Sequence, residues 1–360
     1  MRFEVLTVRV LVGFVLCLLF IPSAGADEFL PPLVGGHRGS GTNAPFNPLP
    51  ENTIPSFVQA FEDGADLVEL DVLFTADDGI VVIHDGTLDR TTDCIGRVLD
   101  FTLAEIQACD AAFGTPMEGM GVQVPTLAQV YEALPADAVV NVEIKSDQVG
   151  ELGAQYIATI IADEIAFLDA AERTIISSFH DGILIETENY DPEMTTAFLT
   201  SALITNPLMD EASENGFDGF HPHYTGLLLG DVEYAHSLGL FVNVWTCNFA
   251  PFMHYIMDEG VDAILTDYIN VLVEAVETHG DDTDDDADDD VDDDANDDVD
   301  DDVDDDADDD GNDDAGDDDA DDDADDDDAN DDVDDDLDDD NQTPESSDDS
   351  DDDDKGQCCG

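Results

Sequence analysis

Between Gly36 and Asp85 the chain gathers two histidines, an arginine and several acids, each at the end or on one face of a short apolar run. The order is Gly36-His37-Arg38-Gly39, then Glu51-Asn52-Thr53, then Val68-Glu69-Leu70-Asp71-Val72, then Val81-Val82-Ile83-His84-Asp85. A later strand-like run, Val139–Ile144, places Asn141, Glu143 and Lys145 on one face against Val140, Val142 and Ile144. Three carboxylates (Glu69, Asp71, Glu143) brought to roughly 4 Å would repel by about 4 kcal/mol per pair at an effective dielectric near 20. A divalent cation removes that repulsion, and a set of hard oxygen ligands suits Ca²⁺ or Mg²⁺. The competing structural reading leaves these acids at strand ends in water or paired with nearby bases. His37 and His84 titrate near neutral pH and so could exchange protons with a substrate; singly, each would serve equally as a hydrogen-bonded structural histidine. Arg38 and Lys145 offer a planar fork and a point charge, both suited to phosphate oxygens. They are two of only five basic residues between the N-terminal segment and the acidic tail, the others being Arg90, Arg97 and Arg173.

The elements that must position these groups follow from periodicity. Leu33 to Gly36 is a short apolar strand feeding a loop, and Ile54 to Glu62 has helical spacing with Thr53 available as its cap. Leu67 to Phe74 alternates, so Glu69 and Asp71 share one face. Asp78-Gly79 marks a turn before a second strand, Ile80 to Ile83. A hairpin centred on Asp77-Asp78 sets Asp71 opposite His84. Residues 86–125 are turn-rich, with one helix near Leu103 to Cys109, and read as an insertion. Strand and helix then alternate: Val139–Ile144, Thr174–Ser178, Met194–Leu199, Gly219–His221, Phe241–Thr246 and Ala263–Thr266 are strands. Leu152–Ile165, Ile183–Tyr190, Asp231–Ser237, Pro251–Glu259 and Asn270–Glu277 are helical. Nine strands with intervening helices predict an α/β fold, a (β/α)8 barrel of the TIM type with one extra hairpin strand. A doubly wound open sheet is the alternative, though its Gly-rich dinucleotide fingerprint is absent.

Composition bounds the partners. The net charge is -85 in 360 residues, and about half of the 93 acidic residues lie beyond Asp281. Scarce, unclustered Lys and Arg exclude a nucleic-acid partner, which needs a basic surface for phosphate contacts. Residues 1–26 have the charged start (Arg2, Arg9), apolar run and Ala24-Gly25-Ala26 site of a signal peptide, which predicts an exported protein with no transmembrane helix in its mature form. Residues 27–280 are then the barrel domain, and 281–360 an Asp-rich tail too polar to fold. The tail ends Cys358-Cys359-Gly360, which invites surface anchoring through it; an inert terminus is the plain alternative. An oxidising compartment allows a disulfide between Cys94 and Cys109, while Cys247 reads as a buried free thiol. His221 and His223 are strand-spaced, but no neighbouring acid completes a metal site around them.

Taken in order, His37-Arg38-Gly39, Glu51-Asn52-Thr53, Glu69-Leu70-Asp71, His84-Asp85, Val142-Glu143-Ile144-Lys145, Val244-Trp245-Thr246 and Gly260-Val261-Asp262-Ala263-Ile264-Leu265-Thr266-Asp267 resemble the glycerophosphodiester phosphodiesterases. The resemblance spans about residues 33–270. It implies a (β/α)8 barrel with a small insertion after the His-Asp motif. It further implies one divalent cation, Ca²⁺ or Mg²⁺, on Glu69, Asp71 and Glu143, with His37 and His84 as general base and acid. Arg38 and Lys145 would hold phosphate, while Glu51, Asn52 and Trp245 would support the site. The implied partner is a small glycerophosphodiester, cleaved to glycerol phosphate and an alcohol. Two rivals remain: a phospholipase C- or D-like barrel acting on intact phospholipid, which needs an apolar lip at the mouth, and a non-enzymatic cation-binding surface protein dominated by its tail.

Overall fold

The computed structural model describes residues 31–44, 47–201 and 203–279; the expected signal peptide and the Asp-rich tail lie outside them. Eight parallel strands close on themselves. They are β1 (Leu33–Gly36), β2 (Leu67–Phe74), β4 (Val139–Ile144), β5 (Thr174–Ser178), β6 (Thr195–Thr200), β7 (Gly219–Pro222), β8 (Phe241–Val244) and β9 (Ala263–Thr266). The sheet runs β1-β9-β8-β7-β6-β5-β4-β2, and pairing of β1 with β2 completes the barrel. The short β3 (Ile80–Val82) pairs antiparallel with the far end of β2. The architecture is the expected (β/α)8 barrel with one extra hairpin strand.

The two faces of each strand take different roles. Val68, Leu70 and Val72 of β2, with Val140, Val142 and Ile144 of β4, turn outward into the layer shared with the helices. Burial of such side chains contributes about 1.5–3 kcal/mol each, which anchors the strands. Facing inward, Leu33, Leu67, Val139 and Ala263 begin their strands as an apolar plug. Two and four residues further along β2 come Glu69 and Asp71, so the barrel interior passes from apolar at one end to acidic at the other. Conserving that polarity is a matter of register: Asp71 lies beside Glu143, and Glu69 beside Asn141, in the β2–β4 ladder.

Several local expectations are corrected. Val72 pairs with Val82, and the Ile83 amide, not His84, meets the Asp71 carbonyl at 2.9 Å. The turn is a five-residue loop closed by Thr75 and Gly79, with Asp78 at φ 64°, which moves the pairing by one residue. His84 therefore follows the strand instead of facing Asp71 across it. Thr53 precedes the helix Ile54–Glu62 but makes no side-chain cap; its hydroxyl donates to the Pro50 carbonyl at 2.6 Å. Two helices are absent from the periodicity reading, Leu127–Ala133, opened by a capping box of Thr126 and Gln129, and Asn206–Glu214, with Pro207 in its first turn.

The insertion forms a satellite core in which Leu88, Val98, Ile106 and Val122 pack on Leu73, Val81 and Ile83 of the hairpin. Cys94 and Cys109 are joined as a disulfide across 15 residues of sequence. A loop of that size is stabilised by about 3 kcal/mol in the chain-entropy model. Replacing both cysteines by serine is expected to lower unfolding free energy by about that amount in urea melts, with the loss confined to probes placed in the insertion.

Candidate active site

His37 and Arg38 leave β1 through a strained turn. Arg38 and Asn52 both have left-handed backbones, with φ 51° and 56°, and Gly39 follows at 88°. For non-glycine residues this costs about 1–3 kcal/mol and persists only where neighbours enforce it. Here the Arg38 amide donates to Glu69 Oε2 at 2.8 Å, and the Asn52 amide donates to the Arg38 carbonyl at 3.0 Å. A Cβ on Gly39 would lie 2.5 Å from Ser56 Oγ, so the turn also needs glycine for space.

Glu69, Asp71 and Glu143 converge at the mouth, each offering a carboxylate oxygen within 4.8 Å of the others. All three are buried. Asp71 Oδ2 accepts from Asn52 Nδ2 at 2.8 Å, and Lys145 Nζ donates to Glu143 Oε1 at 2.6 Å. Glu69 Oε1 and Asp71 Oδ1 are buried yet accept no hydrogen bond, although Lys145 Nζ lies 3.4 Å from the latter. Buried carboxylate oxygens left this way are costly, and a hard cation is the ligand that such a donor set fits. Burial, then the charge of Asp71, pushes the Glu69 carboxyl up to about 8. Asp71 goes the other way: burial opposes its ionisation, but Lys145 and Arg38 hold it down at about 2. Among the described residues a second acidic cluster, Asp93 with Cys94 and Cys109, has its thiols committed to the disulfide.

The two histidines are held by separate acids. His37 Nδ1 is 2.8 Å from Asp267 Oδ1, at the end of β9, and Asp267 is itself fixed by the Thr42 amide and Asn248 Nδ2. His84 Nδ1 is 2.6 Å from Asp85 Oδ1. Their proton affinities diverge. Burial would lower the His37 pKa, but the Asp267 hydrogen bond and the charge of Glu69 raise it overall. For His84 burial leads, and with Arg38 and Lys145 it outweighs the attraction of Asp71 and Asp85, so the pKa falls.

Sequence reasoning placed Arg38, Glu51, Asn52 and Lys145 near this centre, and all four are there. Arg38 Nη1 donates to Glu51 Oε1 at 2.8 Å, and its Nε lies 3.5 Å from Asp71 Oδ2. Glu51 is thus tied to a base instead of to the carboxylate cluster. Its second partner, Arg90, was assigned no role from sequence. Arg90 forks onto Glu51 with contacts of 2.8 and 2.9 Å and onto Asp85 with contacts of 2.6 and 3.1 Å, joining the Arg38 side of the mouth to the His84 side. The Trp245 indole donates to the His221 carbonyl at 2.9 Å and meets Phe179 edge-on. His221 is fully buried, and burial lowers its pKa to about 3; neither it nor His223 joins a potential metal group among the described residues. An open cleft of about 430 Å³ is lined by His84, Asp85, Glu143, Lys145 and Phe179, room enough for a small phosphodiester against the reacting groups.

The model of the glycerophosphoryl diester phosphodiesterase family matches residues 37–271. The chain belongs to that family. A glycerophosphodiester phosphodiesterase of Caldanaerobacter subterraneus subsp. tengcongensis is 36% identical over 249 residues, covering 69% of this chain and 99% of the relative. One from Bacillus subtilis is 30% identical over 264 residues, covering 69% and 88%. Among solved structures, a phosphodiesterase of Oleispira antarctica in complex with the product sn-glycerol-3-phosphate superimposes with a TM-score of 0.61 at 25% identity, over 69% of this chain and 97% of that one. The family match begins at His37 and ends just beyond Asp267, so it encloses every residue of the site described above.

Proposed function

We propose that this phosphodiesterase hydrolyses glycerophosphodiesters to glycerol phosphate and an alcohol, with one divalent cation, Ca²⁺ or Mg²⁺, on Glu69, Asp71 and Glu143 and with His37 and His84 as the proton-transfer pair. The observation that carries the reading is the pair of buried, unsatisfied oxygens, Glu69 Oε1 and Asp71 Oδ1, within a three-carboxylate cluster at the barrel mouth. A cation bound there would draw charge from a phosphoryl oxygen and stabilise the charge that develops on it. Lys145, at the cleft wall, would face the phosphate; Arg38 would set the orientation of Asp71 and Glu51 while sharing in phosphate attraction.

The directions of the histidine shifts favour an order of proton transfer opposite to the one that the resemblance implies. His84, whose pKa burial lowers, is the better suited to take the proton from the attacking hydroxyl or water. His37, whose pKa the Asp267 hydrogen bond helps to raise, is the better suited to give one to the departing alcohol. Export through residues 1–26, and anchoring through the tail, belong to the same reading; fractionation of the producing cells tests both, and a cytoplasmic full-length product would sink them.

The test of the activity is an assay of the purified protein on glycerophosphocholine with and without chelator, beside Glu69→Ala. The expected outcome is choline release that is abolished by chelator, restored by added cation and absent in the variant. Undiminished turnover under chelation would remove the cation from the mechanism.

A further inference from the structure

Arg90 lies outside the lining of the open cleft, yet its guanidinium nitrogens end on acids that hold other residues of the site. The local chain fixes where it starts. Leu88 is fully buried in the satellite core, and the Thr92 amide and hydroxyl both donate to its carbonyl, at 3.1 and 2.8 Å. Arg90 is the middle residue of the turn closed in this way. A planar fork held in one place can serve two carboxylates at once, which a point charge cannot do. Nη2 is the shared atom: it donates to Glu51 Oε1 at 2.8 Å and to Asp85 Oδ1 at 3.1 Å. Nη1 completes the fork on Glu51, and Nε completes the one on Asp85. Each acid passes the constraint on. Asp85 Oδ1 also lies 2.6 Å from His84 Nδ1, and Glu51 Oε1 also accepts from Arg38 Nη1 at 2.8 Å. Glu51 Oε2 takes the Asn43 amide at 2.9 Å besides Arg90, so the loop after β1 is tied in as well.

We propose that Arg90 is a positioning residue for the hydrolysis, acting on His84 through Asp85 and on Arg38 through Glu51, a proposal that rests on the phosphodiesterase reading above. An ionised carboxylate only accepts hydrogen bonds, so Asp85 selects the His84 tautomer with its proton on Nδ1. Nε2 is then the nitrogen that exchanges a proton with the substrate or water. Because Arg90 engages both Asp85 oxygens, the carboxylate cannot rotate away from the ring. Burial opposes the ionisation of Asp85, but the hydrogen bonds from Arg90 and then His84 hold its carboxyl at about 2. The positive charge also offsets part of the pull that Asp85 exerts on the imidazole. The other groups acting on His84 are Asp71, which favours its protonation, and Arg38 and Lys145, which oppose it. On the second branch, Glu51 keeps Arg38 turned so that Nε stays 3.5 Å from Asp71 Oδ2. One side chain of the insertion thereby sets two groups that lie on opposite sides of the mouth.

The experiment follows glycerophosphocholine turnover against pH in the full-length protein, Arg90→Ala and Arg90→Lys. The Ala variant is expected to fold, because Glu51 keeps Arg38 and the Asn43 amide and Asp85 keeps His84; a melting curve checks this. Its kcat should fall about tenfold to a hundredfold, the scale of loss when a reacting group is misplaced, with KM little changed. Without the cation Asp85 acts on His84 undivided, so the limb set by His84, the acid one in the order given above, should move to higher pH. The Arg90 side chain is 43% exposed, which leaves room for a small cation to enter from solvent. Methylguanidinium should therefore restore turnover in Arg90→Ala and return the limb toward its original place. Arg90→Lys should fall between the two proteins. Arg97→Ala is the control, since Arg97 belongs to the same insertion but pairs with Asp100 and Glu151 at the surface; it should leave turnover unchanged. Full activity in Arg90→Ala would overturn the proposal, and so would a loss carried by KM alone, which would make Arg90 a substrate-binding cation. A loss with an unmoved limb and no response to methylguanidinium would reduce it to a structural residue, as would an equal loss in Arg97→Ala. Failure of the parent protein to hydrolyse glycerophosphocholine would strike the phosphodiesterase reading itself.

Discussion

His37→Ala is expected to lower kcat/KM on glycerophosphocholine by about 10²–10⁴-fold, the usual contribution of a positioned proton-transfer group, while far-ultraviolet dichroism stays unchanged. The imidazole has 13% of its side chain exposed, and its Nδ1 is 2.8 Å from Asp267 Oδ1. Asp267→Asn separates the function of the ring from its protonation. The amide keeps a hydrogen-bonding atom beside His37 Nδ1 but loses the charge that helps to raise its pKa. For a proton donor whose pKa is raised, activity is present below that pKa and is lost as pH rises through it. For a proton acceptor whose pKa is lowered, activity is lost as pH falls through it. A bell-shaped profile is expected, its alkaline limb set by His37 and its acid limb by His84. Asp267→Asn should move the alkaline limb toward lower pH and leave the acid limb in place. Movement of the acid limb alone would show that the two histidines act in the other order.

Arg90 illustrates where the sequence stopped short. Its side chain is one of five bases in the barrel region, and the scarcity that singled out Arg38 and Lys145 applied to it equally. Its neighbours, Leu88 to Thr92, have no regular period, so the sequence does not say which way it points. In the fold it reaches back across the mouth to Glu51, 39 residues earlier, and to Asp85. Glu51 was legible as part of the site, but its partner set was not, since a carboxylate beside a cation and one beside two arginines look alike in a sequence. The barrel followed from strands and helices alternating along the chain; alternation within β2 and β4 assigned each carboxylate to a face, and the meeting of Asp71 with Glu143 was implied only by the family resemblance. The hairpin register did not follow, because a five-residue turn and a two-residue turn differ by one position and the Asp77-Asp78-Gly79 run admits both. The His37–Asp267 pair spans nearly the whole barrel and depends on closure between β1 and β9. Closure is a global property, and only the order of motifs along the chain hinted at it.

The cation-free protein is expected to lose stability as pH rises, and the cause lies in Glu69. Burial first, then the charge of Asp71, raises its pKa from 4.5 to about 8 in the fold, against the opposing pull of His37. In the unfolded chain the group ionises near its ordinary value. Below that value both states hold the proton and the penalty is absent. Above it the unfolded chain sheds a proton that the folded state retains, so stability declines with increasing pH until the folded group also ionises. Glu143 is raised in the same sense, whereas Asp71, held at about 2, adds stability that is lost only in strong acid. One retained proton corresponds to a slope of about 1.4 kcal/mol per pH unit, or several degrees in melting temperature for a domain of this size. In chelator, scanning calorimetry should therefore show a melting temperature that falls from about pH 5 to about pH 8. Added Mg²⁺ or Ca²⁺ should flatten that dependence, because binding favours the ionised carboxylates and stabilises the folded state by mass action. Glu69→Gln should flatten it without any cation and should also abolish the cation's effect. A melting temperature that rises over this range in chelator, or a Gln variant that still responds to cation as the parent does, would detach the carboxylate cluster from metal binding and return it to the role of a paired structural centre.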